Sequence, residues 1–247
     1  MYTASNKVDN AIILAAGFSS RFAPLSKTIP KGLLKVRGEI LIERQIEQIL
    51  AAGIPAVYVV TGYKKESFAY LAEKYPAVLL IENRDYASRN NNSSIYAARQ
   101  VLGNSYICSS DNYFTENVFV SSVSDSYYSA IYTDGPTDEY CLTCDENGRI
   151  TQVTIGGADA WYMLGHTFWN RDFSRQFLTY LEPAYADPAT AGWYWENIYM
   201  EHLDTLDMRI KKYPSHVIME FDNLDELCLF DTGYCKYRDT LDLNDLP

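Results

Sequence analysis

Short apolar runs alternate with helical patterns through the first half of the chain, and this rhythm constrains the fold more than any other feature. "AIILAA" (11–16), "AVYVVTG" (56–62), "AVLLIEN" (77–83) and "SYICSSDN" (105–112) read as four strands. Between them, "EILIERQIEQILAAG" (39–53), "KESFAYLAEKY" (65–75) and "SSIYAARQVL" (93–102) read as helices, the first stopping at Gly53 and the third capped by its serines. A β-α-β-α-β-α-β order predicts a mostly parallel sheet covered by helices on both sides. In such sheets ligands bind beyond the carboxyl ends of the strands. That edge would gather the loop at Gly17, the turn at Thr61 and Gly62, the loop at 89–94 and Asp111.

After about residue 125 the pattern becomes β-rich. "SYYSAIYTD" (126–134), a hairpin on "CDENGRITQV" and "YMLGHTFWN" (162–170) precede helical patterns at 171–183 and 193–206. Strands "DMRIKKY" and "SHVIMEF" follow, then a helix from Asn223. There is no Pro- or Gly-rich linker and no repeat. The expectation is one domain over 1–247, with halves at 10–125 and 126–247.

The loop after the first strand carries four cations, Arg21, Lys27, Lys31 and Lys35, in a chain of net charge −11. Gly17, Ser19 and Ser20 have little or no side chain, so backbone N–H groups there can approach a polyphosphate. A Walker A loop and the dinucleotide fingerprint G-x-G-x-x-G are both missing. The acidic balance (pI near 4.7) argues against a nucleic-acid surface and against adsorption to anionic membrane. The first ten residues lack an apolar signal core, and no apolar run approaches membrane-spanning length, so a cytoplasmic address is expected.

Five cysteines without a secretion signal point to thiols rather than disulfides. The pair in "YCLTCDENG" has C-x-x-C spacing but reads as a strand entering an Asn-Gly turn, and no second pair follows, which argues against structural zinc. His166, His202 and His216 sit in no triad setting and are expected to be structural.

The string "LAAGFSSRFAPLSKTIPKGLLKV" resembles the nucleotidyltransferase signature of the sugar-nucleotide pyrophosphorylase type. That family has a Rossmann-like mixed sheet, here with a β-rich acceptor-binding insertion, the nucleotide-diphospho-sugar transferase type of α/β fold. The resemblance implies that the loop wraps a nucleoside triphosphate and that Arg21 and Lys31 neutralise phosphates as pyrophosphate leaves. Ser19, Ala23 and Ser26 depart from the commoner residues of the signature. A closer resemblance, carried by "LIERQIEQILAAGI", "YASRNNNSSIYAARQVLGNSYICSSDNYF", "WYWEN" and "IMEFDNLDEL", is to small bacterial CTP:phosphocholine cytidylyltransferases.

This resemblance implies in-line attack by an acceptor phosphate oxygen on the α-phosphorus of CTP. Such an acceptor is already an anion, so positioning and charge neutralisation suffice. Leu14, Ala15, Ala16, Thr61, Gly62, Asn90, Asn91 and Ser94 would help form the nucleotide pocket. A Mg2+ ion would be held by Asp111 and Asp222, with Glu220 and Glu196 as competitors for the second place. The acceptor would be a small phosphorylated amino alcohol. A quaternary ammonium donates no hydrogen bonds and is held by aromatic faces and a carboxylate. Tyr140, Tyr194 and Trp195, with Glu196 and Glu220, are the candidates, and choline is the expected headgroup. Aminoethylphosphonate or phosphoethanolamine, a sugar 1-phosphate, and a non-catalytic nucleotide-binding regulator remain the alternatives.

Overall fold

A computed structural model describes residues 5–237. Among these residues, nine strands form one mixed sheet. They are β1 (Asn10–Ala15), β2 (Val57–Thr61), β3 (Val78–Glu82), β4 (Ser105–Ser109), β5 (Tyr127–Tyr132), β6 (Pro136–Cys144), β7 (Ile150–Ala158), β8 (Trp161–Trp169) and β9 (Arg209–Lys212). Strands β4, β1, β2 and β3 lie side by side and parallel, as the alternation predicts. The second half extends the same sheet: β8 runs antiparallel to β4, β5 to β8, and the β6–β7 hairpin joins through Cys141 and Tyr162.

The continuous apolar run of β1 is explained by its two covered faces. Ala11 and Ile13 pack with Ile42, Ile46 and Ile49 on one side. Ile12 packs with Ile95, Phe173 and Phe177 on the other. Those partners come from α1 (Leu41–Ala51), α3 (Asn92–Ala97) and α4 (Arg171–Ala186). Side chains alternate across a strand, so a strand between two helical layers must be apolar at every position. Asn170 caps α4, its side chain accepting from the Phe173 N–H at 2.8 Å. Gly53 ends α1 with φ +78°, the left-handed conformation that glycine adopts without penalty. No helix among the described residues is long and apolar enough to cross a membrane.

Several elements are shorter than the sequence pattern suggests. The 65–75 helix begins as a 3₁₀ turn at Lys65–Phe68 and becomes α-helical (α2) only at Tyr70–Lys74. The third helix ends at Ala97 rather than 102, and the 193–206 helix is α5 (Trp195–Met200). The strand read at 105–112 breaks at a Ser110–Asp111 turn and resumes as Asn112–Phe114. That short strand pairs antiparallel with Ile218–Glu220, with Glu220 opposite Asn112. Distant segments thereby meet at the turn. The last helix, α6 (Leu224–Phe230), buries Leu224 and Leu227 against Phe22, Leu25 and Leu34, which fixes the loop after β1.

Candidate active site

Two clefts open at the carboxyl ends of β1 and β4. The first, about 650 Å³, is lined by the loop after β1 from Ala16 to Phe22, by Lys31, by the 86–94 loop and by Asp111. The second, about 970 Å³, lies against strands β5, β6 and β8 and the Ser215–Asn223 segment, with Glu139, Tyr140, Tyr162 and Glu196 on its walls. Arg21, Asn91, Ser109, Tyr194, Glu220 and Asp222 line both.

Four charged side chains around this junction form two ion pairs. Lys31 is buried, and its Nζ lies 2.5 Å from Asp111 Oδ2 and 4.7 Å from the centre of the Phe22 ring. Arg21 lies 2.8 Å from Asp222 Oδ1 and is largely exposed. Glu220 accepts from the Gly165 N–H at 3.2 Å. Burial, and then the Asp111 carboxylate, push its carboxyl up to about 8, against the pull of Lys31. Glu196 accepts from Tyr128 Oη at 2.9 Å and from Asn91 Nδ2 at 3.3 Å. Burial pushes it up to about 7 despite those donors. Burial also raises Glu139, with Asp222 adding to the shift.

This arrangement is an acidic cavity beside a cleft built from small residues and two cations. Residues 11–151 match the MobA-like NTP transferase domain. The chain belongs to the MobA-like NTP transferase family. It is 38% identical over 228 residues to the 2-aminoethylphosphonate cytidylyltransferase of Lancefieldella rimae, covering 91% of this chain and 93% of that protein. It is 32% identical over 216 residues to the choline-phosphate cytidylyltransferase of Streptococcus pneumoniae, covering 87% and 94%. The solved CTP:phosphocholine cytidylyltransferase from Streptococcus pneumoniae superposes with a TM-score of 0.85 at 32% identity, over 90% of this chain and 96% of that one.

The first cleft gathers most of the residues expected to hold a nucleotide. Leu14, Ala15, Ala16, Gly17, Ser19, Ser20, Asn90, Asn91 and Ser94 all line it, with Arg21, Lys31 and Asp111. A Cβ added to Gly17 would meet no protein atom, so the open space above it belongs to whatever the cleft receives. Ser19 holds the loop in a left-handed conformation, φ 49°, a strained geometry for a non-glycine residue. Phe18, Tyr86 and Arg89 also line the cleft, and sequence reading missed them because each looks like an ordinary loop residue.

Three expected site residues lie elsewhere. Thr61 is buried in the sheet and Gly62 packs under Tyr86, where a Cβ would come within 2.7 Å of the ring. Neither lines a cleft; they support the wall from behind. Trp195 also lines neither cleft. It is 2% exposed, stacked on Tyr128 with ring centres 5.6 Å apart and edge-on to Trp169 at 4.9 Å. The reason is helical register: Trp195, Ile198 and Tyr199 form the inner face of α5, which leaves Tyr194 exposed just before it. Tyr194 meets Tyr140 at right angles, centres 6.5 Å apart, on the wall of the second cavity.

None of the three histidines lines either cleft. Buried His166 bonds Ser129 Oγ through Nδ1 at 2.7 Å, and His202 stacks on Tyr180.

The donor set suits a hard cation. Asp111 Oδ1 is a buried oxygen with no hydrogen-bond partner, the kind of group a divalent ion satisfies. No group of three or more His, Cys, Asp or Glu among the described residues is arranged to hold a metal alone. Mg2+ does not require one, since it commonly takes one or two carboxylates together with substrate phosphates and water.

Proposed function

We propose that this chain transfers the cytidylyl group of CTP to a small acceptor with a phosphonate or phosphate at one end and an amine cation at the other. The observation that carries this reading is the shared wall of the two cavities. Arg21 and its partner Asp222 line both cavities there, and the Lys31–Asp111 pair lines the first. The relatives named above, which act on 2-aminoethylphosphonate and on phosphocholine, support the same reading.

The acceptor anion attacks the α-phosphorus, and its oxygen–phosphorus bond forms as the bond to pyrophosphate breaks. No proton has to be removed from the nucleophile. Lys31 and Arg21 stand where negative charge accumulates on the departing phosphates, and stabilising charge that develops in the transition state is what accelerates such a step. Asp111 and Asp222 would hold Mg2+, which when bound would supply positive charge against the substrate phosphates.

On the acceptor's cationic end the side chains favour a primary amine, as in aminoethylphosphonate, over the choline headgroup the sequence suggests. With Trp195 in the core, the expected aromatics left on this wall are Tyr140 and Tyr194, beside Tyr128, Tyr162, Phe221 and Phe230. Glu139, Glu196 and Glu220 line the same cavity. Carboxylates reward a cation that can donate hydrogen bonds to them, whereas a quaternary ammonium gains chiefly from rings. Competition between the two acceptors tests this: CTP turnover should favour aminoethylphosphonate, and a preference for phosphocholine would reject the amine assignment.

A further inference from the structure

Asn91 lines both clefts and bonds the start of α5 through both ends of its amide. Its Oδ1 accepts the Trp195 N–H at 2.7 Å, and its Nδ2 donates to Glu196 Oε2 at 3.3 Å. On the nucleotide side it stands directly before α3, whose Ser93 and Ser94 hydroxyls line the first cleft and accept from Asn83 Nδ2 at 2.8 and 3.1 Å. Its neighbour Asn90 ties the same loop to the opposite wall. The Asn90 backbone N–H donates to Ala191 O at 2.9 Å and its side chain to Gly192 O at 3.3 Å. Any shift of residues 90–94 when a nucleotide enters is therefore carried to the start of α5.

What α5 carries there is Glu196. Each of its oxygens takes one neutral donor, Tyr128 Oη or Asn91 Nδ2. No salt bridge to a Lys or Arg side chain involves it among the described residues. A buried acid held only by neutral donors keeps its capacity for a cationic partner. Asparagine suits this joint because its neutral amide can accept from a backbone N–H and donate to a carboxylate at once. Aspartate would keep the first bond, lose the second, and set a like charge against Glu196.

We infer that Asn91 is a positioning residue that couples the two substrates: nucleotide in the first cleft sets Glu196 for the acceptor's amine, and amine on Glu196 favours nucleotide. The inference rests on the assignment of the two cavities made under Proposed function. Because coupling free energy is reciprocal, each ligand must change the other's affinity by the same factor.

The test is calorimetric titration of the whole chain with aminoethylphosphonate, in the presence of Mg2+, with and without α,β-methylene-CTP, which cannot release pyrophosphate. The wild type should bind the acceptor at least about fivefold more tightly with the analogue present, the lower end of ordinary allosteric coupling. The same factor should appear when the titration is reversed. Asn91→Ala should bring that factor, a ratio of affinities measured within one variant, close to one. Asn91→Asp, which keeps the Trp195 bond and so protects the fold, should also abolish it. A factor near one in the wild type, or an unchanged factor in both variants, overturns the inference and leaves the functional reading standing. Failure of the wild type to bind the acceptor under either condition removes the functional reading and the inference together.

Discussion

Lys31 and Asp111, and Arg21 and Asp222, form two ion pairs out of the residues that resemblance assigns to phosphate and to metal. The pairs differ in environment. The Lys31 side chain is 8% exposed, against 66% for Arg21. Removing one partner of a buried pair strands the other charge, while an exposed pair contributes little to stability. Lys31→Ala should therefore lower kcat by at least ~100-fold, the scale of losing one preorganised electrostatic group. It should lower the unfolding midpoint as well, whereas Arg21→Ala should leave the midpoint unchanged. Turnover of folded Lys31→Ala at the wild-type rate would remove Lys31 from the chemistry. The identities of these residues were legible in the signature string, but their pairing was not, since Asp111 and Asp222 approach only through the Asn112–Phe114 and Ile218–Glu220 ribbon. For "GWYWEN" the sequence argument holds that three consecutive aromatics cannot all face one core. Tyr194 does face the cleft, but only the start of α5 decides which ring is buried.

The four parallel strands were legible because two covered faces force unbroken apolar runs, while their lateral order came only with the structure. Helix lengths were less so. Periodicity cannot see that α3 gives way to turns after Ala97, or that a left-handed Lys64 (φ 49°) introduces a 3₁₀ turn before α2. Nor does it show how one loop is fastened to another. Arg89 donates to Tyr185 O at 2.7 Å and Asp187 O at 2.9 Å, and its guanidinium lies 4.3 Å over the Tyr185 ring. That ring stacks on Tyr96 with centres 3.7 Å apart, and Arg99 covers the far side at 4.0 Å. The stack joins α3 to α4 and holds the 85–91 loop against residues 187–192. Arg89→Ala should raise KM for CTP and for the acceptor together, because the loop it fastens carries Asn91, which lines both cavities. Arg89→Lys should not restore them, since an ammonium cannot supply the planar fork that donates to two carbonyls while stacking. Steady-state kinetics at fixed enzyme stability decides it; an unchanged KM for both substrates would make the stack mere packing.

Across the whole molecule, a sheet continued from the first half into the second places both clefts at one edge, and the buried residues beneath it set how the fold responds to pH. His166 is enclosed by Tyr106, Phe114 and Phe119. Burial, with Lys211 nearby, pushes its imidazole down to about 3 from the usual 6.5. The unfolded chain therefore binds a proton that the folded chain refuses between those two values. This contribution to stability is intact above pH 6.5 and falls as pH drops below it, by at most ~1.4 kcal/mol per pH unit. Glu196 and Glu220, raised to about 7 and about 8, act in the opposite sense, binding protons in the folded state that the unfolded chain releases above pH 4.5. Comparing denaturation of the wild type and His166→Asn between pH 7 and pH 5 isolates the histidine: the variant should lose less stability on acidification. Equal losses would mean that His166 is protonated in the folded protein.

The central claim is cytidylyl transfer to an aminoalkyl phosphonate or phosphate, and the acceptor competition tests it most directly. Equimolar aminoethylphosphonate and phosphocholine are incubated with CTP, Mg2+ and enzyme, and the mixture is followed by 31P NMR. The account predicts pyrophosphate together with a new phosphonate–phosphate anhydride, formed ahead of CDP-choline, and neither product with Lys31→Ala. CTP left intact in the presence of both acceptors and Mg2+ would contradict it.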